Sequence, residues 1–251
     1  MKSRLQAFGL HFSGSATVLL LVLGTLYLGW YRWPGWYLTG VLHVLPVVIG
    51  VDLVLGPLLT FVIANPKKSR RELARDVGCI VAVQLVALGY GTTALWNGRP
   101  LYYTFSVKEL SVTQGIDLQP REIALARKSN PDFAPHWYSR PRWVWAPLPK
   151  DETTSKAIVQ SAVQGGFDVT SMPRYFKPWQ EGLPDLRQKL TRIDGLGYFS
   201  LARQKILHQR LKDEGFDPDA ADVLPMTGHG TPLLAVFDLQ TLQLKALLRA
   251  D

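Results

Sequence analysis

Long apolar runs separated by short polar links make up the first part of the chain. Charged side chains are absent from Leu5 to Tyr31 and again from Val77 to Gly98. Between them lies the run Gly40–Pro66, in which Asp52 is the only charged residue. Because a helix rises about 1.5 Å per residue, roughly 20 apolar residues cross the hydrocarbon core of a bilayer. The pattern therefore predicts three transmembrane helices, at residues 12–31, 36–64 and 77–96.

The second predicted span is longer than one bilayer crossing requires, and it contains two prolines. An interior proline removes a backbone hydrogen bond, so Pro46 and Pro57 are expected kink points. A tight hairpin link at Arg32–Gly35 precedes this span, and a basic link at Asn65–Asp76 follows it. We therefore expect the second span to be tilted or kinked.

The chain from Arg99 onward has the mixed composition of an ordinary folded domain. A strand is predicted directly after the third span, at Leu101–Val107, and two more near the C-terminus, at Pro232–Phe237 and Leu242–Leu248. The last two are joined by a turn, and they could share one sheet with the first. Helices on one face of that sheet would give an α+β domain.

Three helices are predicted in the same domain, at residues 150–164, 183–193 and 200–214. The first has Thr153 or Thr154 as its expected N-cap and ends at the glycine pair 165–166. The last is expected to end before Gly215. Its predicted apolar side consists of Leu201, Ile206, Leu207 and Leu211.

The distribution of basic residues predicts the orientation of the chain. Residues 1–98 contain 8 Lys or Arg against 3 Asp or Glu, a net charge of +5. All but one of these basic residues lie at Lys2, at Arg4 or in the link Lys67–Arg75, which a three-span chain places on one side of the membrane. Excess Lys and Arg mark the cytoplasmic side. We expect a cytoplasmic N-terminus and an extracytoplasmic domain.

Aromatic residues and the remaining charge agree with this orientation. Residues that favour membrane interfaces gather at the predicted outer ends of the spans, namely Tyr27, Trp30, Tyr31, Trp33, Trp36, Tyr37, Tyr90 and Trp96. The downstream domain lacks the concentrated basic face that nucleic-acid binding needs, so no nucleic-acid partner is expected. The fold class predicted is a membrane protein with three N-terminal transmembrane helices over residues 1–98, followed by an α+β extracytoplasmic domain over residues 99–251.

Asp52 is the first candidate functional residue, because a carboxylate near the centre of a spanning helix costs about 2.5–3.5 kcal/mol on insertion scales. It could be a structural group, protonated or paired with Gln84 of the third span. His43 is a poorer partner, since nine residues place it on the opposite helical face. Asp52 could instead be a polar contact for a client helix, or part of an ion pathway.

Two glycines flank Asp52, and small residues let helices approach closely. Gly50 and Gly56 could serve packing among the chain's own spans or against a client. The candidate client-helix contacts are therefore Asp52, Gly50, Gly56 and Gln84.

An aromatic segment at Pro135–Pro149 is the second candidate site. Its proline content excludes a regular helix. It could form a periplasmic partner surface, rest on lipid headgroups or fill the core of the domain. The residues in question are Trp137, Tyr138, Arg140, Trp143 and Trp145.

Motifs of catalysis are missing from the sequence. No HExxH, cysteine-pair, GxSxG or P-loop pattern occurs, and Cys79 is the only cysteine. His229 lies between glycines, without a nucleophile or second ligand at motif spacing. We expect no catalytic residues, no cofactor and no metal, and hence not an enzyme.

Several of these stretches resemble a known family. They are Gly50–Thr60 (GVDLVLGPLLT), Asn65–Lys68 (NPKK), Gly98–Pro100 before the predicted strand, and the third-span residues 84–91. Over roughly residues 35–110 the chain resembles type IV pilin accessory proteins of the TfpX/TfpZ type.

This resemblance implies a multi-pass protein of the inner membrane of a Gram-negative bacterium, with its C-terminal domain in the periplasm. Its protein partner would be the type IV pilin subunit, which it would stabilise or help to assemble, in contact with the lipid bilayer. The alternative is a membrane-anchored periplasmic sensor or an assembly factor for another envelope client.

Overall fold

The structure, a computed structural model, describes residues 2–64, 69–107, 109–196 and 200–249, without the side chains of residues 2, 3 and 70. Part of the predicted basic link, with the family stretch Asn65–Lys68, lies outside the described residues. The chain forms two compact units, one of residues 1–32 and 41–98, the other of residues 33–40 and 99–251.

The described residues of the first unit contain three helices long and apolar enough to cross a membrane. We call them spans one, two and three, and they cover Arg4–Tyr31, Val41–Ile63 and Arg71–Asn97. Span one belongs to an α-helix, Lys2–Leu26, that continues as a π-helical turn over Tyr27–Tyr31. It therefore begins well before residue 12, where the sequence pattern placed its start.

Span two is built from four short helical pieces, and its irregular pieces precede the two prolines. A 3₁₀ turn and an α-helix are followed by a π-helical segment and a second α-helix, at Val41–His43, Leu45–Ile49, Gly50–Leu55 and Gly56–Ile63. The Gly56 N–H donates to the carbonyl of Val51, five residues back, and Pro57 has no N–H to donate. The proline thus accounts for the widened turn around Asp52.

Span three belongs to a continuous α-helix, Arg70–Asn97, with a complete cap at its N-terminus. The Ser69 hydroxyl accepts a hydrogen bond from the Glu72 N–H at 3.3 Å, and the Glu72 carboxylate accepts one from the Ser69 N–H at 3.0 Å. This capping box satisfies two backbone donors at the helix start.

The second unit is built around one sheet, in which the described residues form seven strands. The strands are β1 Pro100–Ser106, β2 Glu109–Gln114, β3 Arg142–Trp145, β4 Lys177–Pro178, β5 Asp222–Thr227, β6 Leu233–Phe237 and β7 Leu244–Arg249. Their order in the sheet is β4-β3-β1-β2-β5-β6-β7. Strands β1 and β3 are parallel, as are β2 and β5, and the other neighbours are antiparallel. The predicted first strand and closing pair do share one sheet.

Helices cover both faces of this sheet, so the prediction of helices on one face was wrong. Leu224 of β5 and Leu233 of β6 belong to a core cluster that includes Leu186, in the helix Leu183–Lys189. Alternate residues point to the other face, where β5 and β6 pack against the helix Leu201–Asp213. Other α-helices in the described part of this unit are Gly35–Leu38, Pro120–Ser129 and Glu152–Val163.

The predicted helices exist, with corrections at their ends and faces. Asp151, not Thr153 or Thr154, caps the helix Glu152–Val163, because its carboxylate accepts the Thr154 N–H at 2.7 Å. Leu207 and Leu211 are buried as expected, whereas the other two members of the predicted apolar side, Leu201 and Ile206, are exposed. The helix predicted over residues 183–193 ends at residue 189.

The segment 33–40 belongs to the second unit, although the sequence pattern placed it in the hairpin and at the start of span two. Tyr37 and Leu38 are buried in a core cluster of the sheet, with Trp36 packed against it. The Leu38 carbonyl accepts the Gly230 N–H at 2.7 Å. Tyr37 is therefore a core residue of this unit, which corrects its prediction as an interfacial anchor, whereas Trp36 is only partly buried.

Candidate functional site

The two polar residues predicted to meet inside the membrane both lie at the middle of their spans. Asp52 is 11 residues from either end of Val41–Ile63, and Gln84 is 13 residues from either end of Arg71–Asn97. Both side chains are buried, with 5% and 7% of their surface exposed. In a bilayer these positions correspond to the centre of the hydrocarbon core, where polar groups need partners.

Gln84 is in direct contact with Asp52. Its Nε2 donates to the backbone carbonyl of Asp52 at 3.1 Å, and its amide also interacts with the Asp52 carboxyl group. The accepting carbonyl lies in the π-helical segment Gly50–Leu55. The geometry therefore joins spans two and three at their midpoints.

His11 of span one completes this polar cluster, and sequence reasoning missed it. His11 Nε2 lies 2.6 Å from Gln84 Oε1, and His11 Nδ1 lies 2.6 Å from Thr60 Oγ1. With a proton on Nε2, His11 donates to Gln84 and accepts from the Thr60 hydroxyl, so every contact is satisfied with a neutral ring. The cluster of His11, Asp52, Thr60 and Gln84 links all three spans.

A signal for His11 was present in the sequence. The predicted span one started at Phe12, one residue later, and a search for charged residues passes over a neutral histidine. Histidines within membrane helices are rare and usually face other protein groups. A search for every hydrogen-bonding side chain in the apolar runs would have selected His11 with Gln84.

The two candidate glycines have different surroundings. A Cβ on Gly56 would lie 2.0–2.4 Å from the amide atoms of Gln84, so the missing side chain makes room for that residue. A Cβ on Gly50 would have nothing within 4 Å. Gly56 thus packs inside the chain's own bundle, whereas Gly50 leaves open space beside its backbone.

A groove of about 470 Å³ lies beside the polar cluster, between spans one and three. Asp52 and Thr60 of span two form its floor. The polar residues His11 and Gln84 also line the groove. The rest of the lining is apolar or small, namely Ala7, Leu10, Gly14, Ser15, Val18, Val77, Val81, Leu85 and Leu88. The cluster can therefore hold three spans together while offering polar atoms to this space.

The structure divides the aromatic segment of the second unit between core and surface. Trp143 and Trp145 lie on β3 and pack against a core cluster. Trp137 and Tyr138 are 72% and 58% exposed, and Arg140 is also exposed. The most exposed members of the predicted partner surface are thus Trp137, Tyr138 and Arg140, and the partner surface itself stays a prediction.

Two further polar groups of the second unit are explained by local structure. Burial raises the pKa of Tyr102 to about 12, although nearby Arg142 opposes the rise, and its hydroxyl donates to the Phe133 carbonyl at 2.6 Å. His229, predicted to be isolated, lies 2.9 Å from Asp117 through its Nε2. The expectations of no metal, no cofactor and no catalysis stay predictions.

Comparisons with known proteins gave three similar proteins of Dichelobacter nodosus. The fimbrial assembly protein of serogroup E1 is 28% identical over 225 residues, 88% of this chain and 85% of the relative. That of serogroup I is 29% identical over 183 residues, 72% and 68% of the two chains. That of serogroups C1 and C2 is 31% identical over 118 residues, 47% of this chain and 90% of the relative. No family model and no solved structure matches the chain.

Proposed function

Because the chain belongs to the family of fimbrial assembly proteins, we propose that it assists type IV pilus assembly by stabilising the pilin subunit in the inner membrane. The observation that carries the proposal is the extent of the similarity. It covers 225 residues with one relative, more than either compact unit contains, so the membrane spans and the domain both contribute to it. The stretches quoted above favour the TfpX/TfpZ type of pilin accessory protein within this family.

The two units of the protein match the two parts of such a client. A pilin waiting for assembly has a hydrophobic helix in the bilayer and a globular head in the periplasm. Spans one to three would bind the helix, with Asp52 and its neighbours as contacts. The exposed loop with Trp137, Tyr138 and Arg140 would bind the head, since exposed aromatic and arginine side chains are typical of binding surfaces.

This mechanism requires one orientation. The N-terminus and the basic link after span two would be cytoplasmic, and the domain after span three would be periplasmic. The protein would act by binding and not by catalysis, as a chaperone for its client.

Deletion of the gene in its host tests the proposal. We expect the amount of pilin in the membrane and the number of surface pili both to fall, and a plasmid copy of the full chain to restore them. Pilin transcript measured in parallel separates loss of protein from loss of expression. Unchanged pilin and unchanged piliation would favour another envelope client.

A further inference from the structure

The groove between spans one and three presents polar atoms that the described part of the chain leaves partly unsatisfied. A carboxyl group has two oxygens that can form hydrogen bonds whether it is ionised or protonated, and a glutamine amide has two N–H donors. One N–H of Gln84 is used by the Asp52 backbone carbonyl, so the amide can give the Asp52 carboxyl only one hydrogen bond. The rest of that carboxyl lies in the floor of the groove.

The chemistry of this floor discriminates between possible occupants. A lipid acyl chain can fill the apolar lining but offers no hydrogen bond to a carboxyl group. Each unsatisfied polar group in hydrocarbon is unfavourable. A helix that carries one hydrogen-bonding side chain at the level of Asp52 can pack against the apolar lining and also form a hydrogen bond with the Asp52 carboxyl.

The wall formed by span one also suits a helix. Gly14 lines the groove, and a Cβ at this position would have nothing within 4 Å. Ala7 and Ser15, two more small residues, line the same groove. Small residues allow a second helix backbone to approach closely, which strengthens packing in membranes. By contrast, Gly91 of span three is already filled by Val48.

We propose that this groove binds the transmembrane helix of the pilus subunit, with Asp52 bonding to a polar side chain of that helix and Gly14 facing its backbone. The inference rests on the proposed function and adds a location to it. A lipid chain or a second copy of this chain are the competing occupants.

Site-specific photo-crosslinking in the membrane tests the location. A photoreactive amino acid is placed at Leu85, which lines the groove, and at the adjacent Val86, which does not. Both are well exposed, 58% and 75%, and one residue apart in depth, so they differ mainly in direction. Val18 in the groove and Leu20 outside it form the same comparison on span one.

We expect pilin adducts at the two groove positions and few at the two controls. If pilin co-purifies with the chain but crosslinks equally at all four positions, the groove is not its binding site. The proposed function would not be contradicted by that result. Adducts with lipid or with a second copy at the groove positions would also overturn the groove as the binding site. Absence of both co-purification and crosslinks would contradict both proposals.

A blocking substitution provides an independent test. Leu at Gly14 fills the groove, whereas Leu at Gly9 lies on the opposite side of the same helix, also with open space at its Cβ. We expect Gly14→Leu to lower pilin recovery about tenfold, equivalent to ~1.4 kcal/mol, and Gly9→Leu to leave it unchanged. Equal recovery with both variants, at matched membrane levels, would contradict the proposal.

Discussion

At the scale of single residues, the polar cluster gives each of the three spans a specific partner. In a bilayer, hydrophobic burial does not drive helices together, so packing and hydrogen bonds between helices determine their arrangement. His11, Gln84 and Thr60 supply such bonds between spans one, two and three. The cluster therefore fixes the register of the three helices as well as their proximity.

Removal of His11 is expected to destabilise the membrane unit. His11→Leu leaves Gln84 Oε1 and the Thr60 hydroxyl without this partner, which should lower the free energy of unfolding by about 1–2 kcal/mol. Thr25→Val is the matched control, since the Thr25 hydroxyl donates within its own helix, to the Leu21 carbonyl. Unfolding of the full chain in detergent measures both. Equal losses would argue against a cross-span role.

The two glycines beside Asp52 form a second matched pair. Gly56→Ala places a methyl group against the Gln84 amide and should cost about 1–3 kcal/mol, because Gln84 must move from its hydrogen bonds. Gly50→Ala meets open space and should stay within about 0.5 kcal/mol of wild type. The same detergent unfolding experiment measures them. A Gly50 variant as damaging as the Gly56 variant would contradict this packing.

Asp52 and Gln84 could be found from the sequence because each is a polar exception in an apolar run. The distance between these two side chains could not be predicted, since it depends on how the spans align. Thr60 contributes only one hydroxyl group to the cluster. Nothing in its sequence position distinguishes it from the other hydroxyl residues of these helices. Single residues were predictable where composition alone marks them, and contacts between spans were not.

At the scale of elements, the start of a helix often has several neighbouring residues that could cap it, so the sequence does not show which one does. The Asp151 cap is one example, because two neighbouring threonines were equally plausible caps. Hydrogen bonds from the Thr154 hydroxyl and N–H hold the pKa of Asp151 below its usual value. The cap is therefore strongest when this carboxyl is ionised.

This pKa shift predicts a pH dependence. The contribution of Asp151 is fully present above the unfolded pKa, about 3.9, and is lost as the pH falls through the lower folded value. The difference in melting temperature between wild type and Asp151→Ala should thus be constant from about pH 7 to 5 and shrink below about pH 4. Asp151→Asn keeps an acceptor without a titrating charge and is the control. A difference that grows at low pH would contradict the cap.

Short strands were the least predictable elements. β4 has only two residues, and β3 has four within a proline-rich segment, so their pairing with distant strands decides their conformation. Strand β5 was not predicted, and it contains Pro225, which lies in the part that pairs with β6 and not with β2. Long apolar spans and the closing hairpin carry their signal locally and were predicted.

At the scale of the whole molecule, the two compact units are interleaved in sequence. Residues 33–40 leave the membrane run and pack in the domain core, although their aromatic residues suit an interface equally well. Local composition cannot distinguish packing in the domain core from a place at the membrane interface, because both bury the same apolar surface. Only the completed sheet supplies the core that Tyr37 and Leu38 enter.

The proposed orientation is testable with single cysteines. With Cys79 replaced by Ser, a cysteine at exposed Thr153 in the domain should react with an impermeant maleimide in intact spheroplasts. A cysteine at exposed Ser69, before span three, should react only after the membrane is permeabilised. The reverse pattern would invert the topology and remove the periplasmic role of the domain.

If the chain binds the pilin subunit within the membrane, as we propose, the two proteins should co-purify. The tagged chain is extracted in mild detergent from cells that produce pilin but cannot assemble pili, beside an unrelated tagged inner-membrane protein at the same level. We expect pilin to be recovered with the chain in at least about tenfold excess over the control, as for a specific complex. Recovery equal to the control would contradict the proposal.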